Sequence, residues 1–275
     1  MADAAAATGG GQAEPQGGLT GATLTLRVFK GVPGGEVGYA TYEVPEVVGM
    51  VVLDAIHQIQ RTQDGDLACR WNCKAAKCGS CAAEVNGHPV LMCKTRIDSL
   101  PAGTVTVQPL KAFPLIKDLV TDVSRNYETN KLIPPFTAAP DDGTPWRIPQ
   151  IDIDRLFEYR RCIECFLCQD VCHVNRSHEL SERFFGPRFF VRVAGLEMHP
   201  KDVLDRRELL RDRGGLGLCN ITKCCTEVCP EHIHITDNAI IPLKERVVDQ
   251  HWDPLRWLGR KLRPSGAASG AGPPA

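Results

Sequence analysis

The sequence has 275 residues, of which 43% are hydrophobic and 24% charged, the composition of a folded protein with enough chain for two domains. The formal net charge is −1 and no strongly basic block is present, so nucleic acid is not expected as a partner. No stretch reaches the roughly 18 consecutive apolar residues that a membrane-spanning helix needs.

The N-terminus and the cysteines indicate the compartment. Residues 1–20 are rich in Ala and Gly and lack the basic start and apolar run of a signal peptide, so we expect a disordered tail and a reducing cytosol. Thirteen cysteines, about 5% of the chain, are then poor candidates for disulfides and fall below the content of disulfide scaffolds. Bound metal is the better interpretation.

The first predicted unit covers residues 21–112. Two apolar-alternating segments flank a turn rich in Gly and Pro, which predicts a hairpin, and helical spacing follows. The Asn86-Gly87 pair favours a type I′ turn between two short strands. With a last alternating segment, the order strand, strand, helix, hairpin, strand predicts a β-grasp domain. The segments are residues 23–29 and 38–44 for the first hairpin, 51–60 for the helix, 84–90 for the second hairpin and 104–108 for the last strand.

A stretch that contains several prolines, residues 113–150, follows, and we interpret it as a short helix over 115–128 and a linker. Helical spacing then predicts a mostly α-helical domain over 151–262 and a flexible tail over 263–275. The predicted fold class is α+β, with a plant-type ferredoxin-like β-grasp domain before a bacterial-ferredoxin-like helical domain. The helices predicted in the second domain cover residues 152–161, 181–195 and 199–215.

The first cysteine group has the plant-type spacing for a 2Fe-2S cluster. From Cys73 it reads Cys-x4-Cys-x2-Cys, and a fourth thiol returns after the second predicted hairpin. The loop is rich in small residues and can point backbone N–H groups at the cluster sulfurs. Zinc is the alternative, although it favours two short knuckles of closely spaced ligands. The predicted ligands are Cys73, Cys78, Cys81 and Cys93, and Cys69 lies outside the pattern.

Two further cysteine runs predict two more clusters. The first run has the bacterial ferredoxin spacing Cys-x2-Cys-x2-Cys-x3-Cys, whose first three thiols bind one cluster and whose fourth binds another. The second run repeats this spacing with Thr222 at its second position, and a cubane corner without a thiolate tends to lose its iron. We therefore predict a 4Fe-4S cluster on Cys162, Cys165, Cys168 and Cys229, and a 3Fe-4S cluster on Cys172, Cys219 and Cys225.

Cys224 is an alternative fourth ligand for the cluster that lacks one. It directly precedes Cys225 in the sequence, so its thiol is poorly aimed for that role. From the residues alone, both the three-ligand and the four-ligand interpretations stay open.

Taken in order, these patterns resemble the iron-sulfur subunit of the succinate dehydrogenase and fumarate reductase family. The resemblance covers about residues 22–250 and includes "LIKDLVTDVSRNYE" at 115–128 and "FGP" at Phe185 to Pro187. It implies that electrons from succinate pass from the flavin (FAD) of a partner subunit through 2Fe-2S, 4Fe-4S and 3Fe-4S clusters to a quinone near membrane anchor subunits. It also implies a peripheral place at the cytoplasmic face of the cell membrane, and no catalytic residue in this chain.

The residues around the predicted 3Fe-4S cluster depart from the family pattern. Quinone-linked relatives usually carry Pro after the fourth thiol of the first run and His after the first thiol of the second, whereas this chain has His173 and Asn220. This predicts a menaquinone site of different shape, or an additional redox group in the anchor, with His173 near the acceptor or bonded to a helix end. The basic segment 252–263 is predicted to lie against anchor subunits, lipid headgroups or solvent.

Other functions fit parts of these patterns. The same clusters would serve fumarate reduction or another flavoprotein dehydrogenase, because the direction of electron flow depends on relative potentials. A zinc-stapled binding module belongs to a different class and would be colourless, whereas iron-sulfur clusters give a brown protein.

Overall fold

The structure is a computed structural model that describes residues 18–140, 143, 146–177 and 180–252. The predicted C-terminal tail, almost all of the basic segment 252–263 and residues 1–17 of the predicted N-terminal tail lie outside these ranges. Residues 19 and 20 begin the first strand, so they do not belong to a tail. In the ranges described, none of the helices combines the length and the apolar content needed to cross a membrane.

A five-stranded mixed sheet forms the N-terminal half of the chain. Its strands are β1 (Leu19–Gly31), β2 (Val37–Val47), β3 (Ala82–Val85), β4 (His88–Leu91) and β5 (Val105–Gln108). In the order β2-β1-β5-β3-β4, β1 pairs antiparallel with β2 and parallel with β5. Asn86 and Gly87 connect β3 to β4 with positive φ values of 49° and 80°, as a type I′ turn requires. Both predicted hairpins are confirmed.

Helix α1 (Val52–Thr62) buries the apolar face that its spacing predicts. Four residues of that face have no exposed surface: Val52, Ala55, Ile56 and Ile59. They pack with Leu26 and Val28 of β1 and with Val107 of β5 in the first hydrophobic core. This core also includes Leu119 and Leu167, so it reaches into segments well beyond the sheet.

The helix predicted over 115–128 is wrong in its first half. The elements formed there are β6 (Leu115–Lys117), β7 (Val120–Thr121) and then α2 (Ser124–Asn130). Asp118 makes the turn between the two short strands with a φ of 47°. Its buried carboxylate accepts hydrogen bonds from the N–H groups of Gly31, at 2.9 Å, and Ala68, at 2.7 Å. These long-range bonds favour a turn over a helix, and apolar spacing does not report them.

Helices and turns build the C-terminal half. They are α3 (Gln150–Arg160), α4 (Leu167–Asp170), α5 (His173–Arg176), α6 (Pro187–Glu197), α7 (Cys224–Glu227) and α8 (Ile241–Trp252). Phe189 and Phe190 of α6 and Leu243 of α8 are fully or almost fully buried in the second hydrophobic core. The helices predicted from 152 and through the "FGP" segment are confirmed in type, although the second begins only at Pro187.

The helix predicted over 199–215 forms only at its end. A π-helical segment covers Leu209–Arg213, and Gly215 follows with a φ of 67°, which ends the helical turn near the predicted boundary. Earlier in the segment, the buried guanidinium of Arg206 donates hydrogen bonds to the carbonyls of Pro134, at 2.9 Å, and Pro135, at 2.7 Å. These hydrogen bonds hold the linker against the second core. The segment around Arg206 therefore has an irregular backbone in place of a helix.

Candidate metal centres

The first cysteine group lies on the loop between α1 and β3 and just after β4. The backbone N–H groups of Ala75 and Lys77 donate to Cys73 Sγ at 3.3 and 3.4 Å. Lys74 and Ala76 reach this geometry through positive φ values of 53° and 56°. Successive N–H groups turned inward in this way make a concavity that binds anions. The loop is therefore shaped for a negatively charged centre.

The other thiols of the group differ in environment. Burial opposes ionisation of Cys78, but hydrogen bonds from Ser80 and Cys73 outweigh it and bring the pKa of Cys78 down to about 7. Burial next to Cys93 raises the pKa of Cys81. The four predicted ligands thus lie close together, three on the loop before β3 and Cys93 after β4. Cys69 lies apart, with its Sγ donating to the Arg70 carbonyl at 3.7 Å.

The second group surrounds a small, partly enclosed cavity. Three thiols of the first run and Cys229 line it, together with Phe166 and Ile233. Burial, together with the nearby Cys162 and Cys229, raises the pKa of Cys165 to about 12. Thiols held in such a cavity ionise only when a positive centre binds them, and a coordinated metal deprotonates a thiol outright.

Arg188 brings a positive charge to the wall of this cavity. Its side chain is 3% exposed, and its guanidinium donates to the carboxylate of Glu164 and, at 2.9 Å, to Asn130. A buried cation next to four thiolates offsets part of the negative charge that an iron-sulfur cluster and its ligands carry. The donor set, the enclosure and the charge therefore fit a 4Fe-4S cluster.

The third group contains Cys172, Cys219 and Cys225. Burial raises the pKa of Cys172 and Cys225, and the thiols of this group raise it further because they lie close to one another. Cys225 Sγ also lies 3.4 Å from Thr236 Oγ1. The three thiols predicted for the second run's cluster are therefore brought together.

The two cysteine runs have the same backbone conformation. In each copy, φ is positive two and four residues after the first cysteine, at Glu164 and Phe166 in one copy and at Ile221 and Lys223 in the other, with values between 56° and 62°. A short helix follows directly in both copies, α4 in the first and α7 in the second. This alignment places Thr222 at the position that Cys165 occupies in the first copy.

Cys224 lies closer to the third group than its sequence position suggests. Its Sγ is 3.3 Å from Thr222 Oγ1, and it adds to the electrostatic effect on Cys172 and Cys225. A thiol thus stands next to the residue that replaces a ligand.

Two histidines near the cysteine runs, His173 and His234, lie at the surface or in a loop contact. His173 is exposed at the start of α5. His234 Nδ1 lies 2.8 Å from Glu158 Oε1, and its backbone N–H donates to the same oxygen at 2.7 Å, so it makes a loop contact. Within the described ranges, no three side chains of His, Cys, Asp or Glu are arranged to hold a single metal ion.

A buried ion network joins the two halves of the protein and escapes sequence analysis. Arg176 of α5 donates to Glu84 of β3 and, at 3.1 Å, to Asp170 of α4, and both carboxylates are completely buried. Lys111 Nζ adds a second cation 3.2 Å from Glu84. Burial and the nearby Glu84 raise the pKa of Asp170. The position of Asp170 inside a cysteine run is the only sequence signal for this network.

Comparisons with known proteins match both halves. A 2Fe-2S iron-sulfur cluster binding domain matches residues 25–128, and a 4Fe-4S dicluster domain matches residues 158–233. The fumarate reductase iron-sulfur subunit of Mycobacterium tuberculosis (strain CDC 1551 / Oshkosh) is 31% identical over 71% of this chain and 80% of its own length. The corresponding subunit of Wolinella succinogenes is 30% identical over 83% of this chain and 98% of its own length.

A solved structure gives a stronger likeness. A chain of the Mycobacterium smegmatis Sdh1 complex in the apo form is 57% identical, superposes with a TM-score of 0.78, and aligns over 85% of this chain and 98% of that chain. These identities and coverages are decisive for the family. The chain belongs to the iron-sulfur subunits of the succinate dehydrogenase and fumarate reductase family.

Proposed function

We propose that the chain is the electron-transfer subunit of a succinate:quinone oxidoreductase. The observation that carries this proposal is the grouping of eleven cysteines around three places, of which the second and third share thiols from both runs. Iron-sulfur clusters accept and release single electrons, so bound clusters here would turn the two-electron chemistry of a partner's flavin into one-electron steps. The likeness to the Sdh1 chain favours the succinate-oxidising direction, and fumarate reduction is the alternative that the other relatives suggest.

The proposed ligand sets follow the grouping of thiols. They are Cys73, Cys78, Cys81 and Cys93 for 2Fe-2S, Cys162, Cys165, Cys168 and Cys229 for 4Fe-4S, and Cys172, Cys219 and Cys225 for 3Fe-4S. Cys168 supports the placing of the last two centres side by side, because its pKa responds to Cys165 and to Cys225, one from each group. Thr222 supports a three-iron centre, since it stands where the first run has a thiol.

The proposed domain division has a β-grasp domain over 21–112 and a helical domain over 151–262. The sheet order with parallel β1 and β5 supports the β-grasp assignment, and two separate hydrophobic cores support the division. Leu119 and Leu167 of the first core suggest that the connecting segment and α4 fold together with the sheet.

The proposed partners are a flavoprotein (FAD) subunit and membrane anchor subunits, with this chain peripheral at the cytoplasmic face. Membership of the family supports the flavoprotein. The acceptor near Cys172, Cys219 and Cys225 is proposed to be menaquinone or a redox group held by the anchor, because His173 and Asn220 replace the residues of ordinary quinone-linked relatives.

Metal content tests the proposal directly. Protein prepared without oxygen should contain about nine irons and ten acid-labile sulfides per chain, the sum for one 2Fe-2S, one 4Fe-4S and one 3Fe-4S cluster. The oxidised protein should show the paramagnetic signal of a 3Fe-4S cluster. Zinc in place of iron and sulfide would contradict the proposal and favour a binding module. Purification of the native complex would then identify the partner subunits and the acceptor.

A further inference from the structure

Gly79 lies where the loop of the first cysteine group meets the first cysteine run. Its φ is 71°, and a Cβ built on it would stand 2.6 Å from the Cα of Cys165 and 2.9 Å from both the Cβ and the N of the same residue. Real Cβ atoms essentially never approach other atoms so closely. The backbone between Cys78 and Cys81 therefore rests directly on the backbone of a proposed 4Fe-4S ligand.

Two other glycines of the sheet half with a similar φ make no such contact. Gly87 has a similar φ of 80°, yet a Cβ there would meet nothing within 4 Å, and the same holds for Gly49 with a φ of 78°. A positive φ alone explains why those positions favour glycine. At Gly79, the lack of a side chain serves a second purpose, which is close approach of two backbones.

Further contacts hold the two loops against each other. Lys77 Nζ donates to both carboxylate oxygens of Glu231, at 2.9 and 3.3 Å, and Glu231 follows Cys229 by two residues. Ile163 and Cys165 pack against the first hydrophobic core. Because these contacts lie around Gly79, the two loops cannot move apart at this point unless the contacts beside it also shift.

We infer that Gly79 is a positioning residue that sets the separation between the 2Fe-2S site and the 4Fe-4S site. The inference rests on the proposed function, in which one electron leaves a reduced 2Fe-2S centre and enters an oxidised 4Fe-4S centre, with no bond or proton transferred. Tunnelling rates fall exponentially with distance. The contact at Gly79 therefore affects the rate of electron exchange between the two sites as well as the packing of the two loops.

The structure gives the size of the change that a side chain would cause. Ordinary van der Waals contact begins between 3.4 and 4 Å, whereas the Cβ of a residue 79 alanine would lie 2.6 Å from the Cys165 Cα. The loops must therefore separate by 0.8 to 1.4 Å to accept a methyl group. A displacement of that size is expected to slow electron exchange between the sites several-fold and to weaken their magnetic interaction, which depends on the inverse cube of distance.

The test compares Gly79→Ala with Gly87→Ala in the holoprotein. Both variants place alanine at a positive φ, and only the first meets Cys165. For Gly79→Ala we expect full iron and sulfide content, unchanged midpoint potentials, a weaker spin-spin interaction between the two reduced centres, and slower electron exchange after rapid reduction. Gly87→Ala should keep the interaction and the rate of the unsubstituted protein.

A second variant keeps the inference testable even if Gly79→Ala does not assemble its clusters. Glu231→Ala removes the ion pair to Lys77 without adding bulk, and it should weaken the spin-spin interaction in the same direction but by a smaller amount. Unchanged coupling in both variants, with all clusters present, overturns the inference while leaving the proposed function intact. Absence of iron from the unsubstituted protein overturns the proposed function itself.

Discussion

Arg176 is expected to stabilise the contact between the sheet half and the helical half more than any surface ion pair does. Replacing it with Met keeps the length of the side chain and removes the guanidinium. Glu84 and Asp170 would then be two completely buried carboxylates with a single cation, Lys111, in contact with Glu84. Gln108 still donates to Glu84, and the Ala112 N–H to Asp170 at 2.9 Å, but neither donor is charged.

The magnitude follows from the burial of the two acids. Breaking a buried ion pair by removing one partner costs about 3–5 kcal/mol, because a buried charge is left uncompensated. The Arg176 side chain is itself 33% exposed, so water reaches part of the site and the lower end, about 3 kcal/mol, is expected. For a protein of this size that loss lowers Tm by roughly 6–12 °C.

Calorimetry of the anaerobic holoprotein at one scan rate measures the shift. Arg96→Met is the matched control, since Arg96 and Asp98 form an ion pair with 57% and 51% exposed side chains, and its loss should change Tm little. Adding Glu84→Gln to Arg176→Met should restore part of the stability, because it removes one of the two buried negative charges. A shift for Arg176→Met no larger than that of Arg96→Met would show that the buried network adds no more stability than a surface ion pair.

Three further predictions concern single positions. Cys224→Ser should keep the iron count and the 3Fe-4S signal if three thiols suffice, whereas Cys225→Ser should lose both; loss in both variants would make Cys224 a ligand. His57→Phe should flatten the pH dependence of Tm below about pH 6.5. Burial, aided by Lys74, lowers the pKa of the His57 imidazole in the folded protein. The neutral imidazole therefore stabilises the fold fully above about pH 6.5, and this stabilisation is lost as the pH falls through the lowered pKa. The same variant removes a buried Nε2 that has no hydrogen-bond partner among the described residues, so an unchanged pH profile would contradict the assignment. Gly215→Ala should lower Tm by several degrees, since its Cβ would lie 2.0 Å from the Arg183 carbonyl oxygen at a φ of 67°, whereas Gly217→Ala meets nothing within 4 Å and should have little effect.

Periodic patterns in the sequence predicted the elements whose conformation is determined by neighbouring residues. Alternation of apolar and polar residues predicted the hairpins, and helical spacing predicted the buried face of α1. Cysteine spacing predicted that Thr222 occupies the position equivalent to Cys165, and the φ values of the two copies agree with this. The failures at 115–128 and 199–215 share one cause. In each segment a single buried charged side chain, Asp118 in one and Arg206 in the other, bonds to backbone groups distant in sequence, and no local period reports such a bond.

The candidate site shows the same division. Spacing predicted which thiols come together, because each run has the bacterial ferredoxin spacing, whose fourth thiol joins the other group. The contact of Gly79 with Cys165 and the network of Glu84, Asp170 and Arg176 depend on how two halves of the chain pack. Their partners lie 6 to 92 positions apart along the chain, so only a three-dimensional arrangement can reveal them.

The placement of Cys229 beside Cys162, Cys165 and Cys168 has a consequence for biosynthesis. A ribosome must synthesise the chain through residue 229 before the proposed 4Fe-4S site has its last thiol, whereas the four thiols of the proposed 2Fe-2S site are complete at residue 93. A product truncated before residue 229 would therefore keep every proposed 2Fe-2S ligand and lack one thiol of the proposed 4Fe-4S site.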